Sequence, residues 1–583
     1  MSSFDSWENN AHLNLTSDNY RQCWGKGEAS LTALEALLES GYPMNDGALS
    51  TVMTLFEQTL SAALSIRATC RAYESVHPNG VLSSKDRSRL ASLLRRLRLC
   101  ASKISLNLTP QSPTAKLFSS GLLESLDTLS AQNTHPLDEI GVPLSLNSLY
   151  RHLVSTMRVE VRLNGQTFPL SHSQVIQVLK SHDDPQFVRA TFNACNAWCS
   201  QYSRIFADLL NLTLEYKITR SSAQNFDDVL RASLRQEHVS RATYEALFKA
   251  LDEKKSTLQK TITYRSAYLR QPRLHAANIL SANPGLPFSS FGPFQSYETT
   301  LAALNESYQS IDPRFTQFLE EEQSEHWIDA AHTSSKVGGT WCEDYPTQQR
   351  SVIFANYSTG LAGAFQLAHP LGVGFLYDVL HRHQVFPYPL PFSMLETGGQ
   401  FALVLLSNWL SKNSSSKEDS LSFEWFSLRV LANKLLLLPL RHRLMRRLIT
   451  HRFKDVLSVD LVNIETQKEW QATFGQTVES FDQYLWILKP HFYRTDVFFY
   501  DWQYVFGYLM ARFLHHQLQR LPQAQKATAL ESFFQDMPFT SFEAICQKHF
   551  GAQIDRKEFW LEAIDLSLSP AKAFAHRLVS SPH

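Results

Sequence analysis

The sequence predicts a mainly α-helical protein, and three observations carry that prediction. Apolar residues recur at intervals of three and four through most of the 583 residues, the signature of helices with one buried face. Alternation with a period of two, the mark of a half-buried strand, appears in only two short places. The composition, 44% hydrophobic and 19% charged, is that of an ordinary globular chain with enough apolar surface to bury a large core.

The elements follow in order. The first thirty residues (MSSFDSWENNAHLNLTSDNY and onward) are polar, with no basic start and apolar middle, so no signal peptide is expected and a cytoplasmic placement is. Residues 50–76 place Val52, Leu55, Leu60, Ala63 and Leu64 at helical spacing. Comparable patterns run through 86–106, 185–219, 240–268, 359–383, 396–411, 421–453 and 499–520. In Met157–Phe168, Val159, Val161 and Leu163 alternate with charged residues, and Asn164-Gly165 supplies a hairpin turn. Ser351–Asn356 is the second strand candidate. Ala282–Tyr297 is rich in proline and glycine and must leave regular structure. The polar tract Ser411–Ser420 predicts an exposed loop between helices.

Several function classes are excluded at this level. Lys plus Arg and Asp plus Glu each number 55, so bulk charge offers nothing to a nucleic acid. The longest apolar runs, Gln400–Leu410 and Leu435–Leu440, are too short to span a bilayer, so no membrane partner is expected. The seven cysteines (23, 70, 100, 195, 199, 342 and 546) include no Cys-x-x-Cys pair, which argues against a disulfide framework or a cysteine zinc site. Cys195 and Cys199 lie one helical turn apart and read as small buried side chains. Residues Lys434–Lys454 carry Arg441, Arg443, Arg446, Arg447 and Arg452. Interleaved Leu436, Leu437, Leu444 and Leu448 make this a helix with a buried side and an ion-paired or solvated basic face, in preference to a nucleic-acid surface.

A set of segments stands out in a particular order: His326–Cys342 (HWIDAAHTSSKVGGTWC), Ile353–Asn356, Leu367–Gly372 (LAHPLG), Glu396-Thr397 and His491–Gly507 (HFYRTDVFFYDWQYVFG). In this order and spacing they resemble the oligoendopeptidase F branch of the thimet-oligopeptidase-like zinc metallopeptidases. In that family a lysine-glycine segment leads into a T-L-A-H-E-x-G-H helix, a glutamate helix follows, and an H-F-Y…F-Y-x-x-x-Y-x-x-G segment closes the site. Leu170–Asn211 and Asn225–Leu234 extend the resemblance upstream, over nearly the whole chain. It implies an elongated two-lobed helical shell around a deep channel that admits peptides. It also implies an N-terminal helical domain over 1–190, with the small hairpin near 157–168, followed by an oligoendopeptidase-like domain over 191–583.

The chemistry of that family needs two histidines one turn apart to hold zinc. A glutamate between them takes the proton of the metal-bound water, and a third ligand comes from the next helix. Here the motif reads His369-Pro370-Leu371-Gly372-Val373. The first ligand position is kept as His369 and the third as Glu396. Pro370 replaces the base, Val373 the second ligand, Leu376 a further histidine and Leu403 a later glutamate. Losing the base alone removes about 10²–10⁴ in rate, and a catalytic zinc requires about three protein ligands. Pro370 also predicts a kinked helix, since an interior proline costs about 3 kcal/mol. Asp378, His381 and His383 follow on the same segment and offer the components of a relocated metal site, although solvated residues near a helix end are the plainer reading. His491, Tyr493, Tyr500 and Tyr504 match the family's substrate-gripping segment, with core packing of these aromatics as the alternative. Asp329 and Lys336 read as structural elements, and Cys342 as a nucleophile worth one test.

The expectation is therefore a catalytically inactive oligoendopeptidase-like protein without a zinc site, binding a peptide or peptide-like ligand, or a partner protein. The alternative is an active metallo-oligopeptidase using zinc with altered ligands.

Overall fold

Helices begin where the chain offers an oxygen to the unpaired N–H groups of the first turn. Ser17, Ser240, Ser416, Ser458 and Ser541 each accept from a backbone N–H three residues on, and Asp228 accepts from Leu230. In the computed structural model, residues 7, 10–40, 46–77, 84–107, 142–182, 184–223, 228–281, 292–333, 336–337, 339–385, 390–414 and 416–580 are described. They are mainly helical. The predicted helices appear as Asp46–Val76, Ser84–Asn107, Pro185–Ala223, Arg241–Tyr268, Leu361–Arg382, Phe392–Asn413 and Trp502–Gln519. The pattern over 421–453 resolves into Lys417–Ala432 and Leu438–Arg452, joined by a π-turn at Asn433–Leu437. Asp18–Glu39, inside and after the polar start, is a helix the sequence reading did not mark. Of the stretch Ala282–Tyr297, residues 282–291 lie outside the described residues, as do Gly338 and Ser415. Among the described residues no helix is long and apolar enough to cross a membrane.

Contacts group the chain into two units, each assembled from three stretches of sequence. The first takes Met1–Asn133, Pro293–Trp409 and Leu514–Ala552, and the second Thr134–Gly292, Leu410–Phe513 and Gln553–His583. Position 190 falls inside the helix Pro185–Ala223.

The second unit contains the predicted hairpin, β1 (Arg158–Leu163) against β2 (Gln166–Ser171). Asn164 and Gly165 sit at φ of 50° and 77°, the left-handed pair that a two-residue hairpin turn requires. The first unit contains a small mixed sheet. Its centre is β5 (Arg350–Ala355), flanked by β3 (Ile328–Asp329) in parallel and β4 (Thr340–Tyr345) antiparallel. The helix Leu361–Arg382 lies on this sheet so closely that a methyl group on Gly374 would come within 3.0 Å of Ile353 and Phe318. On the sheet's other side Trp7, Ala68, Ala72, Trp327, Tyr345, Val352 and Phe354 form one apolar cluster. Trp7 Nε1 donates to the Trp327 carbonyl at 3.0 Å, which ties the N-terminal segment to the sheet.

Candidate functional site

In the first unit, the helix Leu361–Arg382 carries His369 and the helix Phe392–Asn413 carries Glu396. Glycine lets these two helices touch. A Cβ at Gly372 would lie 2.7 Å from the Gly398 carbonyl and 2.7 Å from the Ala402 methyl. A Cβ at Gly399 would lie 2.5 Å from Cε1 of the His369 ring. The imidazole is thus seated on bare backbone, with Nε2 at 3.4 Å from Glu396 Oε1. The other Glu396 oxygen accepts from Gln400 Nε2 at 3.0 Å. Glu396 is 2% exposed.

The zinc expected of such a helix pair can be tested against these side chains. A separation of 3.4 Å between two donor atoms suits two ligands of one tetrahedral ion. The second ligand position, one turn after His369, is Val373, which is buried and has no donor atom. Among the described residues no three His, Cys, Asp or Glu side chains converge as a metal site would require. The residues present do not fit a catalytic zinc.

Pro370 does not interrupt the helix, which runs unbroken from Leu361 to Arg382. The Gln366 carbonyl has no proline N–H to accept there, and Gln366 is exposed, so the missing bond falls on the solvent side of the helix. The relocated site weighed as an alternative is not formed among the described residues. Asp378 accepts from Arg382 at 2.8 Å, His381 Nε2 faces Asp344 at 2.8 Å, and His383 Nε2 faces Glu531 at 3.3 Å. Three side chains that share a sequence segment point to three different partners; Asp378 and His381 are largely covered by theirs, while His383 stays exposed as the plainer reading expects. Lys336 pairs with Asp329 and donates to the Ala331 carbonyl at 2.9 Å, a buried structural brace in front of β4. Cys342 sits on β4 with its thiol pushed far up by burial and by Glu322, Glu343 and Asp344, the reverse of what a nucleophile needs.

In the second unit the site segment has no regular structure over much of 476–501, so its carbonyls need other donors. Buried cations supply them. Lys217 Nζ donates to the Phe498 carbonyl at 2.9 Å, and Arg220 Nη1 to the Thr495 carbonyl at 3.1 Å. Tyr150 Oη donates to the Ile487 carbonyl at 3.1 Å. Burial lowers the Lys217 pKa to about 7.

This scaffold brings together three of the four predicted ligand-binding residues. The His491 and Tyr500 ring centres are 4.8 Å apart, those of His491 and Tyr504 6.3 Å, and Tyr504 Oη donates to Tyr500 Oη at 2.9 Å. All three are partly exposed. His491 Nδ1 lies 2.9 Å from Asp501 Oδ1. A carboxylate only accepts, so Nδ1 carries the proton and Nε2 keeps its lone pair. Asp501 is itself held by Arg441, through Nη2 at 2.5 Å and Nε at 3.0 Å. Burial first, then the Arg441 charge, lowers the His491 pKa to about 4, against the opposing pull of Asp501. The result is a neutral imidazole, fixed in direction, beside two phenols: groups able to donate to and accept from a peptide backbone.

Tyr493 is the exception and corrects the sequence reading. It is 1% exposed, its ring stacks on Tyr150 with centres 4.4 Å apart, and its hydroxyl lies 3.5 Å from the Phe206 carbonyl. It is a core residue. The basic helix is ion-paired as expected: Arg443 meets Asp252, Arg447 meets Glu465 and Glu469, and Arg452 meets Glu215. Sequence spacing gave no sign of Gly399 as the seat of His369 or of Asp501 as the partner of His491, ten positions apart.

No family profile matches the sequence, and no curated protein matches it. Solved structures do. A candidate peptidase from Chlamydophila abortus superposes with a TM-score of 0.73 at 16% identity, covering 97% of both chains. Oligoendopeptidase-F from Enterococcus faecium gives 0.64 at 14% identity, covering 97% of this chain and 99% of its own. PZ peptidase A, solved with an inhibitor, gives 0.73 at 10% identity, covering 95% of this chain and 97% of its own. At such identities the likeness speaks for architecture, and this chain has the mainly α-helical oligoendopeptidase F fold.

Proposed function

We propose that this protein is a non-hydrolysing relative of the oligoendopeptidases that binds a peptide or peptide-like ligand. The observation that carries the reading is the helix pair at His369 and Glu396. It keeps its close glycine packing, while the positions of the second metal ligand and of the base hold Val373 and Pro370, both buried and apolar. Hydrolysis in such an enzyme needs a third ligand to hold zinc and a base to deprotonate its water. Binding needs neither, and the His491, Tyr500 and Tyr504 group supports it with an oriented lone pair and hydroxyls. A second reading, an active peptidase with altered ligands, draws on the 3.4 Å approach of His369 to Glu396.

Metal analysis of the purified protein, paired with a panel of quenched fluorogenic peptides, separates the two. The proposal expects less than one zinc in ten chains after dialysis and no chelator-sensitive cleavage. Stoichiometric zinc together with cleavage that is lost in both His369→Ala and Glu396→Ala establishes the second reading and overturns the first.

A further inference from the structure

We propose that the first unit holds a second binding site, a cleft between its first two long helices that takes a zwitterionic dipeptide. Glu57 meets the ligand's ammonium group and Lys26 its carboxylate. The site goes beyond the peptide-binding reading of the second unit and stands independently of it.

The helices Asp18–Glu39 and Asp46–Val76 border a cleft of about 720 Å³, with the turn Pro346–Gln348 at one end. That volume is ordinary for a small-molecule site. Each helix has two stripes. The apolar stripes, with Tyr20, Trp24 and Leu31 on one helix and Val52, Phe56 and Leu60 on the other, belong to one core cluster. The polar stripes line the cleft, with Gln22, Lys26 and Ala29 on the first helix and Glu57, Gln58 and Ser61 on the second. Three contacts set the register. Ser30 Oγ donates to Gln58 Oε1 at 3.0 Å. A Cβ at Gly27 would lie 3.0 Å from the Ala62 methyl. Cys23 and Ser65 both approach the Thr347 hydroxyl, at 3.9 Å and 2.9 Å. Residue numbers fall on one helix as they rise on the other, so the pair is antiparallel. Beside the near contact at Gly27, the small side chains of Ala29, Ser61 and Ala62 leave the room that the cleft occupies.

The walls carry one ammonium group and one carboxylate, Lys26 and Glu57. Burial lowers the pKa of His12, the cleft's imidazole, which keeps it neutral. Lys26 and Glu57 are exposed residues, and among the described residues neither has an ion pair or a hydrogen bond. The covering that Glu57 does receive raises its pKa, and no cation offsets the shift. An ammonium group brought by a ligand supplies that missing partner. By the register, Glu57 stands at the level of Leu31, five residues from Lys26, or roughly 7–8 Å along the pair. Side chains lean toward the N-terminus of their own helix, and in an antiparallel pair those directions are opposed. Lys26 leans toward Gln22 and Glu57 leans away from it, so the two heads stand further apart than their backbones. With a hydrogen bond at each end, a single amino acid bridges roughly 9 Å and an extended dipeptide roughly 13 Å. The separation selects the dipeptide. Its amide falls beside Ser61 and Gln58, whose Oε1 is taken by Ser30 while its N–H groups remain to donate.

The test is titration calorimetry on the full-length protein with alanyl-alanine, its N-acetyl and C-amide forms, alanine and glucose. The variants are Lys26→Gln, Glu57→Gln and, as a control in the second unit, His491→Gln. Both cleft positions are exposed and without hydrogen bonds, so their variants are expected to fold and to melt with wild type. Wild type should bind alanyl-alanine about tenfold more tightly than either blocked form, the size of one charge-assisted hydrogen bond. Glu57→Gln should lose that factor against the acetyl form alone, and Lys26→Gln against the amide alone, a pairing that a merely structural role does not produce. His491→Gln should leave the affinity unchanged.

No binding in wild type, or equal affinity for free and blocked dipeptides, overturns the site. Loss of dipeptide binding in His491→Gln and in neither cleft variant moves the ligand to the second unit, which overturns the cleft and upholds the peptide reading. Alanine binding as tightly as alanyl-alanine overturns the ligand's length, and glucose binding more tightly than either overturns its class. A Glu57→Gln protein that still discriminates against the acetyl form overturns the role of Glu57.

Discussion

Replacing Val373 by histidine restores the missing ligand at one position, and its consequences follow from the contacts around it. His369 Nε2 and Glu396 Oε1 already stand 3.4 Å apart, and position 373 lies four residues after His369, on the same helix face. Zinc in a four-ligand protein site is worth about 10–16 kcal/mol, or roughly 3 kcal/mol per ligand. A third ligand should therefore tighten zinc by roughly a hundredfold or more. The substitution also carries a structural penalty. Val373 is 5% exposed, so a larger polar ring there costs about 1–3 kcal/mol in overpacking. Saturating zinc at 100 times its dissociation constant returns about 2.7 kcal/mol. Val373→His should thus melt below wild type in chelator and recover with zinc, while wild type and Val373→Leu ignore the metal. Adding Pro370→Glu restores the base position and relieves an interior proline, worth about 3 kcal/mol. The assay is zinc per chain after dialysis against buffered zinc, together with melting curves in zinc and in chelator. The ligand count is refuted if the folded Val373→His protein takes up no more zinc than wild type, or if wild type already retains one equivalent.

Two further outcomes follow from the second unit. His491 has its pKa lowered from 6.5 to about 4, so between those values the folded chain binds fewer protons than the unfolded chain. Its contribution is complete above about pH 6.5 and is lost as the pH falls towards 4, on the order of 3 kcal/mol in all. The unfolding free-energy difference between wild type and His491→Gln should narrow accordingly from pH 7 to 4, and a constant difference refutes the neutral, partly buried imidazole. For Tyr493, the stacked core position predicts a loss of about 3–5 kcal/mol in Tyr493→Ala and about 1 kcal/mol in Tyr493→Phe, with peptide affinity preserved in the latter. A Tyr493→Phe protein of native stability that has lost ligand would return Tyr493 to the binding surface.

Helices were legible because burial of one face imprints a period on the chain, and the hairpin because Asn164-Gly165 can adopt the left-handed conformations its turn needs. Strands β3 and β4 were not legible. β3 spans two residues, and β4 (TWCEDY) is covered on both faces, with Tyr345 in the Trp7 cluster and its acidic Glu343 and Asp344 paired with Arg67, Arg71 and His381, so no apolar–polar alternation is left. The helix Asp18–Glu39 was hidden by its polar composition. Its buried stripe, Tyr20, Cys23, Trp24, Gly27, Leu31 and Leu34, contains small and amphipathic residues that an apolar count passes over. At the sites, His369 and Glu396 were legible as a pair because their spacing follows a motif. The separation of Tyr493 from His491, Tyr500 and Tyr504 was not, because 476–501 has little periodic structure and each side chain's direction is set by distant donors such as Lys217 and Arg220. The partners of His381 and His383 were equally invisible, since Asp344 and Glu531 lie far away in sequence.

The pattern of what is kept at the motif helix separates two demands on one segment. Leu367 and Ala368 are fully buried, and Gly372 is the point where a methyl group would strike the neighbouring helix backbone. These letters of the motif serve packing, and each is present. Positions 370 and 373, where the resembled motif has its base and second ligand, carry apolar residues suited to burial. A chain whose helix pair had simply come apart would have no use for Gly372 or Gly399, because relaxed helices leave room for a methyl group. The close approach is present while positions 370 and 373 carry no donor atom, an arrangement that suits the binding proposed above. His369 and Glu396 then remain because each satisfies a neighbour in that tight interface: the ring fills the space over Gly399, and the carboxylate takes the Gln400 amide. On this argument Glu396→Gln, which keeps the shape and much of the hydrogen bonding, should be nearly silent in a protein whose work is binding, whereas it would abolish the work of a metal site.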